Sequence, residues 1–92
     1  MKVKVRLFAN FREAMGQGTV EIEDVRKVGE VIEKLVQMRK ELEKEFYYPG
    51  TKELVKTVQI MVNGKTVKLP DGLETELKDD DEIAIFPPVA GG

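Results

Sequence analysis

Val28, Val31, Ile32, Leu35, Met38, Leu42 and Phe46 recur at three- and four-residue steps, and no other stretch of the chain carries so long an apolar stripe. Glu30, Glu33, Lys34, Lys40, Glu41 and Lys44 fill much of the remaining helical surface, with Glu30 and Lys34 at the supportive i,i+4 spacing. The pattern predicts one continuous helix over 28–46, ~28 Å long at 1.5 Å per residue. Its start is weakly signalled: Asp24 offers an early cap, while Lys27 stands where Ser or Thr would be expected. One helix has one stripe to bury, so it can cover one face of one sheet.

The rest of the chain supplies that sheet. Val3, Val5 and Leu7 alternate with Lys2, Lys4 and Arg6, and Val20 and Ile22 alternate with Glu21 and Glu23. Alternation of this kind marks half-buried strands. Residues 10–18 between them read as a loop or short helical turn, so the two strands form a hairpin with a long connection. Tyr47-Tyr48-Pro49-Gly50 ends the helix, because Pro49 holds Tyr48 extended and Gly50 favours a turn. Residues 51–57 carry no assignable pattern. Val58, Ile60 and Val62 start a third strand, Asn63-Gly64 signals a type I′ turn, and 65–69 returns as a fourth. A loop with one helical turn around 73–77 and the acidic turn Asp79-Asp80-Asp81-Glu82 lead into a last strand, 83–86. The expected architecture is two-layer α+β, five strands under a single helix. Residues 1–86 form the domain and 87–92 leave it as a flexible tail.

Composition narrows the chemistry. The 92 residues include no Cys, His, Ser or Trp. That removes the thiol and serine nucleophiles, the imidazole base, disulfides and the usual zinc ligands. The chain is expected to bind no metal or cofactor and to have no catalytic residues of its own. Its 15 basic and 17 acidic residues give a net charge of −2, with no basic run to neutralise phosphates, so no nucleic-acid partner is expected. The N-terminal alternation lacks a signal peptide's continuous apolar core, and nothing approaches the ~20 apolar residues of a membrane helix. These features predict a cytoplasmic protein, and the Lys and Glu richness leans towards a thermophilic source. Gly16-x-Gly18 lacks the third glycine of a dinucleotide loop, and Asp79–Glu82 lacks calcium-loop spacing.

Strand parity picks out a surface. If Val3, Val5 and Leu7 face the helix, Phe8 points to the open side of the sheet, as do Met61 and Phe86 on their strands. If those strands are neighbours, Phe8, Met61 and Phe86 form one exposed apolar patch, the mark of a partner site. The alternative is scattered surface hydrophobes, or phenylalanines tucked under loops at the strand ends.

The tail is the second candidate. Pro87 and Pro88 lack N–H donors and cannot continue a ladder, so they direct Val89, Ala90, Gly91 and Gly92 away from the sheet. Six residues at ~3.3 Å each reach ~20 Å. Gly91 and Gly92 have no Cβ and can thread a channel too narrow for side chains, presenting the Gly92 carboxylate. A slim carboxyl terminus on a chain without nucleophiles suits acyl activation. The alternative is a frayed terminus.

The run from Leu77 to Gly92, LKDDDEIAIFPPVAGG, resembles the MoaD family, the small subunits of molybdopterin synthase. Lys4-Val5-Arg6-Leu7-Phe8-Ala9 with Arg12-Glu13, and Val62-Asn63-Gly64, also match. ThiS carriers of the thiamine pathway share the Gly-Gly end but usually lack Phe-Pro-Pro. The resemblance implies a ubiquitin-like β-grasp, a five-stranded mixed sheet covered on one face by one long helix. It also implies three partners: a ubiquitin-activating-like adenylyltransferase (MoeB/ThiF-like) that uses ATP on the tail, a sulfur donor, and a MoaE-like large subunit. The Gly92 carboxylate would become a thiocarboxylate and donate sulfur to a cyclic pyranopterin precursor of the molybdenum or tungsten cofactor. The sheet face near the tail would be the partner surface, which favours Phe8 and Phe86. Asp80 stands where the family usually has Gly. The same Gly-Gly end serves relatives conjugated to lysines, and the same thiocarboxylate could supply tRNA thiolation or thiazole synthesis.

Overall fold

The inward residues of four strands meet the apolar side of the main helix in one core cluster that includes Val3, Val5, Leu7, Ile32, Leu35, Ile60, Ile83 and Ile85, and Val67 of the fifth strand packs against it. The structure, a computed structural model, describes residues 2–55, 57–69 and 71–87. Its elements are β1 (Lys2–Leu7), α1 (Asn10–Met15), β2 (Thr19–Glu23), α2 (Val28–Met38), α3 (Glu43–Phe46), β3 (Gln59–Val62), β4 (Lys65–Val67) and β5 (Glu82–Phe86). The sheet order is β2-β1-β5-β3-β4. β1 runs parallel to β5 and the other neighbours are antiparallel, so the sheet is mixed. The α+β β-grasp expected from the sequence is the observed architecture.

Period-two alternation sets the register. Val3 faces Ile22 and Val5 faces Val20 on one side; Leu7 pairs Ile85 and Ile60 pairs Ile85 on the other. All of these are buried. Asn63 and Gly64 have φ of 50° and 83°, the left-handed pair that a type I′ turn requires. Residues 10–18 hold a true helix, α1, which buries Phe11 and Met15 and ends at Gly16 with φ 87°.

The expected continuous helix over 28–46 is not observed. α2 stops at Met38, and Arg39 adopts φ −140° and ψ 108° before a 3₁₀ turn at Lys40–Leu42 and then α3. The reason lies in packing. Met38 is 50% exposed, whereas Leu42 and Phe46 are fully buried. The break redirects those two side chains inward, and the Phe46 ring packs against Phe11 at 4.8 Å between centroids. Asp24 does not cap the helix; Lys27 is the N-cap, and having no acceptor it gives no side-chain cap bond. The Glu30 carboxylate compensates by accepting the backbone N–H groups of Arg26 at 2.6 Å and Lys27 at 3.1 Å.

Other boundaries move by a residue or two. β3 begins at Gln59 and β5 at Glu82, and β4 ends at Val67 rather than 69. Past Val67 the chain closes a turn in which the Gly72 N–H donates to the Lys68 carbonyl. Gly72 is required there, since a Cβ would lie 2.9 Å from Val67 Cβ. The helical turn expected around 73–77 is a 3₁₀ segment at Asp71–Glu74. The unassigned connector folds back on the end of α3: Tyr47 bridges Leu54, and the Val55 N–H donates to the Phe46 carbonyl at 2.7 Å.

Candidate functional site

Because α2 covers one side of the sheet, the outward residues of β1, β5 and β3 form its open face. Register places Arg6 beside Ala84 and Ala84 beside Met61 in one row, with Phe86 opposite Gln59 in the next. Phe8 extends β1 by one residue, its N–H donating to the Ile85 carbonyl at 3.2 Å. That bond carries the parallel register forward and brings Phe8 onto Phe86. Their rings stack with centroids 4.4 Å apart and planes 9° from parallel.

Phe8, Met61, Ala84, Phe86 and Pro87 are each partly exposed. The structure therefore brings Phe8 and Phe86 into contact. Met61 sits on the same face, diagonal to Phe86 across the β3–β5 pair, a spacing long side chains can span. Among the described residues, neither ring is fully buried.

Arg6 belongs to the same surface, although a charged side chain carries no apolar signal in the sequence. Its guanidinium carbon lies over the Phe8 ring, 5.8 Å from the centroid, and its Nη1 lies 3.6 Å from Glu82 Oε1. Alternation already put Arg6 on the side of Phe8, two residues on. What the sequence lacked was the β1–β5 pairing that supplies Glu82.

β5 ends at Phe86, so the aromatic stack stands at the root of the tail. Pro87 is the last described residue and is partly buried against the domain. Pro88, Val89, Ala90, Gly91 and Gly92, named above for threading and acyl activation, lie outside the described residues.

The acidic turn is structural. Asp80 has φ 68°, the left-handed geometry in which a glycine is easiest. The Lys2 N–H donates to Asp79 Oδ1 at 2.9 Å, while Asp81 accepts the Lys78 N–H at 2.8 Å and Asn63 Nδ2 at 2.8 Å. The Asp79 and Asp81 carboxylates thus tie the turn to β1, to Lys78 and to the β3–β4 turn, and among the described residues no cluster of three or more His, Cys, Asp or Glu could hold a metal. Lys27, Glu30 and Tyr47, whose protonation the fold biases, sit at or beside α2. Hydrogen bonding to Glu74 raises the Lys27 pKa, the Arg26 N–H lowers that of Glu30, and burial raises that of Tyr47. Among the described residues no helix is long and apolar enough to cross a membrane.

Comparison with known proteins gives this surface a context. The sequence model of the ThiS family matches residues 5–92. A putative sulfur carrier protein of Archaeoglobus fulgidus is 43% identical, and small archaeal modifier protein 3 of Haloferax volcanii is 36% identical, each over 100% of both chains. A molybdopterin synthase sulfur carrier subunit of Chlamydomonas reinhardtii is 30% identical, again over 100% of both. The solution structure of small archaeal modifier protein 1 from Methanosarcina acetivorans superposes with TM-score 0.86 at 38% identity, covering 99% of this chain and 96% of that one. Two similar structures come from complexes. One chain in the complex of subunits 1 and 2 of the Helicobacter pylori molybdopterin-converting factor gives TM-score 0.62 at 27% identity, covering 100% of this chain and 100% of that one. The Amycolatopsis orientalis BexX/CysO complex gives 0.78 at 27%, covering 98% of this chain and 99% of that one.

Proposed function

The chain belongs to the ThiS family of ubiquitin-like sulfur carriers and modifiers, and from that premise we propose that it is the sulfur-donating small subunit of a molybdopterin synthase. The observation that carries this reading is the Phe8–Phe86 stack at the point where β5 gives way to Pro87. A partner gripping the open face through these rings receives the tail beside its own active site.

The chemistry proceeds on the tail. A Gly92 carboxylate oxygen attacks the α-phosphorus of ATP on the adenylyltransferase, releasing pyrophosphate. A sulfide-level sulfur nucleophile then attacks the acyl carbon and AMP leaves, converting the C–O bond of the mixed anhydride into the C–S bond of a thiocarboxylate. On the MoaE-like large subunit, this sulfur attacks a cyclic pyranopterin precursor, water cleaves the acyl C–S bond and restores the Gly92 carboxylate, and two such transfers supply the two sulfurs of the dithiolene. ATP is a substrate of the activating enzyme. The acid–base and nucleophilic groups come from the partners, which suits a sequence with no Cys, His or Ser.

A second reading shares the first step. The likeness to two small archaeal modifier proteins favours conjugation, in which a lysine amine displaces the activated group and leaves an isopeptide at Gly92. Incubating the chain with ATP, activating enzyme, a sulfur donor, the large subunit and precursor separates the two. Sulfur transfer to the pterin supports the synthase reading. Lysine adducts without transfer support conjugation.

A further inference from the structure

We infer that Arg6 determines which partner the open face accepts, by requiring a carboxylate beside the partner's apolar cleft. The inference rests on the docking role proposed above for Phe8 and Phe86. Arg6 cannot be left in water when those rings are covered, because its guanidinium lies over the Phe8 ring at 5.8 Å. A guanidinium has five N–H donors, and one stripped of water without acceptors is strongly unfavourable.

The chain itself does not meet that need. Among the described residues the ion-pair partner of Arg6 is Glu82, at 3.6 Å, longer than a hydrogen bond. Both side chains are about half exposed, at 52% and 48%. Across the β1–β2 pair Lys2 faces Glu23 and Lys4 faces Glu21, whereas Arg6 faces the neutral Thr19 and finds no carboxylate on that side. The open face therefore presents an apolar centre with one weakly paired guanidinium over it. Its complement is an apolar protein surface carrying an Asp or Glu that takes Arg6 in a two-pronged pair. A partner with a neutral cleft buries the arginine unsatisfied and is rejected, which is how such a charge gives specificity.

The test is calorimetric titration of the full chain into the large synthase subunit at low and moderate salt, with wild type, Arg6→Leu and Glu82→Gln. Leucine keeps the strand propensity and apolar bulk, and thermal melts check that each variant is folded. The expected results are a loss of about 30-fold or more for Arg6→Leu, the lower end for removing one member of a buried charge pair, and a salt dependence that is flatter than wild type. Glu82→Gln, which frees Arg6, binds as tightly as wild type or tighter. A loss below about tenfold for Arg6→Leu, or an equal loss in Glu82→Gln, overturns the inference. If wild type binds and both variants still gain sulfur on Gly92, the sulfur-carrier reading survives that outcome. If wild type does not bind the subunit, both fall.

Discussion

Phe8 and Phe86 come from opposite ends of the chain, and their rings lie 4.4 Å apart, nearly parallel, on the uncovered side of the sheet. Parallel pairing of the first and last strands makes this contact possible, because it places the residue after β1 beside the end of β5. The root of the tail and the apolar face are thereby one structure.

Phe86→Ala separates binding from folding. The ring is partly exposed, so losing its pairing with Phe8 costs about 1 kcal/mol of stability. Affinity for the large subunit falls more, by about 2 kcal/mol or greater if the ring is a central anchor. Denaturant melts and titration measure the two. Unchanged affinity with a folded variant removes the open face from the account.

Phe46→Ala does the reverse. Phe46 is fully buried against Phe11, far along the chain in α1. Truncation leaves a cavity and costs about 3–5 kcal/mol, a large share of the stability of a small domain. Urea unfolding should show it, while any molecules still folded retain binding.

Glu30 makes the α2 start pH-dependent. The Arg26 and Lys27 N–H groups hold its carboxyl below the ordinary value of 4.5. A carboxyl lowered in the folded state stabilises fully above its unfolded pKa, and the contribution disappears as pH falls through the folded value. Glu30→Ala should therefore melt below wild type at neutral pH. The gap should close under acid conditions below 4.5. A gap independent of pH would contradict the assignment to the ionised Glu30 carboxylate.

Much of this was legible because the governing rules are local. Val3, Val5 and Leu7 declare their faces by alternation, and Asn63-Gly64 declares its turn by left-handed tolerance. Strand parity alone aimed Phe8, Met61 and Phe86 outward. The break at Arg39 was not legible, since Leu42 and Phe46 keep helical spacing across it and the burial of both, with Phe46 on a distant Phe11, is a tertiary effect. Lys27 was visible as a poor residue at the cap position, but not what serves that end, because the missing cap bond is replaced by Glu30 from within the helix. The Arg6–Glu82 relation depends on which strands pair, a non-local fact.

The central claim is that this chain carries sulfur on its terminal carboxyl. Intact mass of the protein after incubation with ATP, its activating enzyme and a sulfur donor tests it most directly. The account predicts an oxygen-to-sulfur mass gain localised to Gly92, abolished by deleting Gly91-Gly92 or by adding one residue after Gly92. An unchanged mass, with enzyme and donor shown to be active on a known carrier, would contradict it.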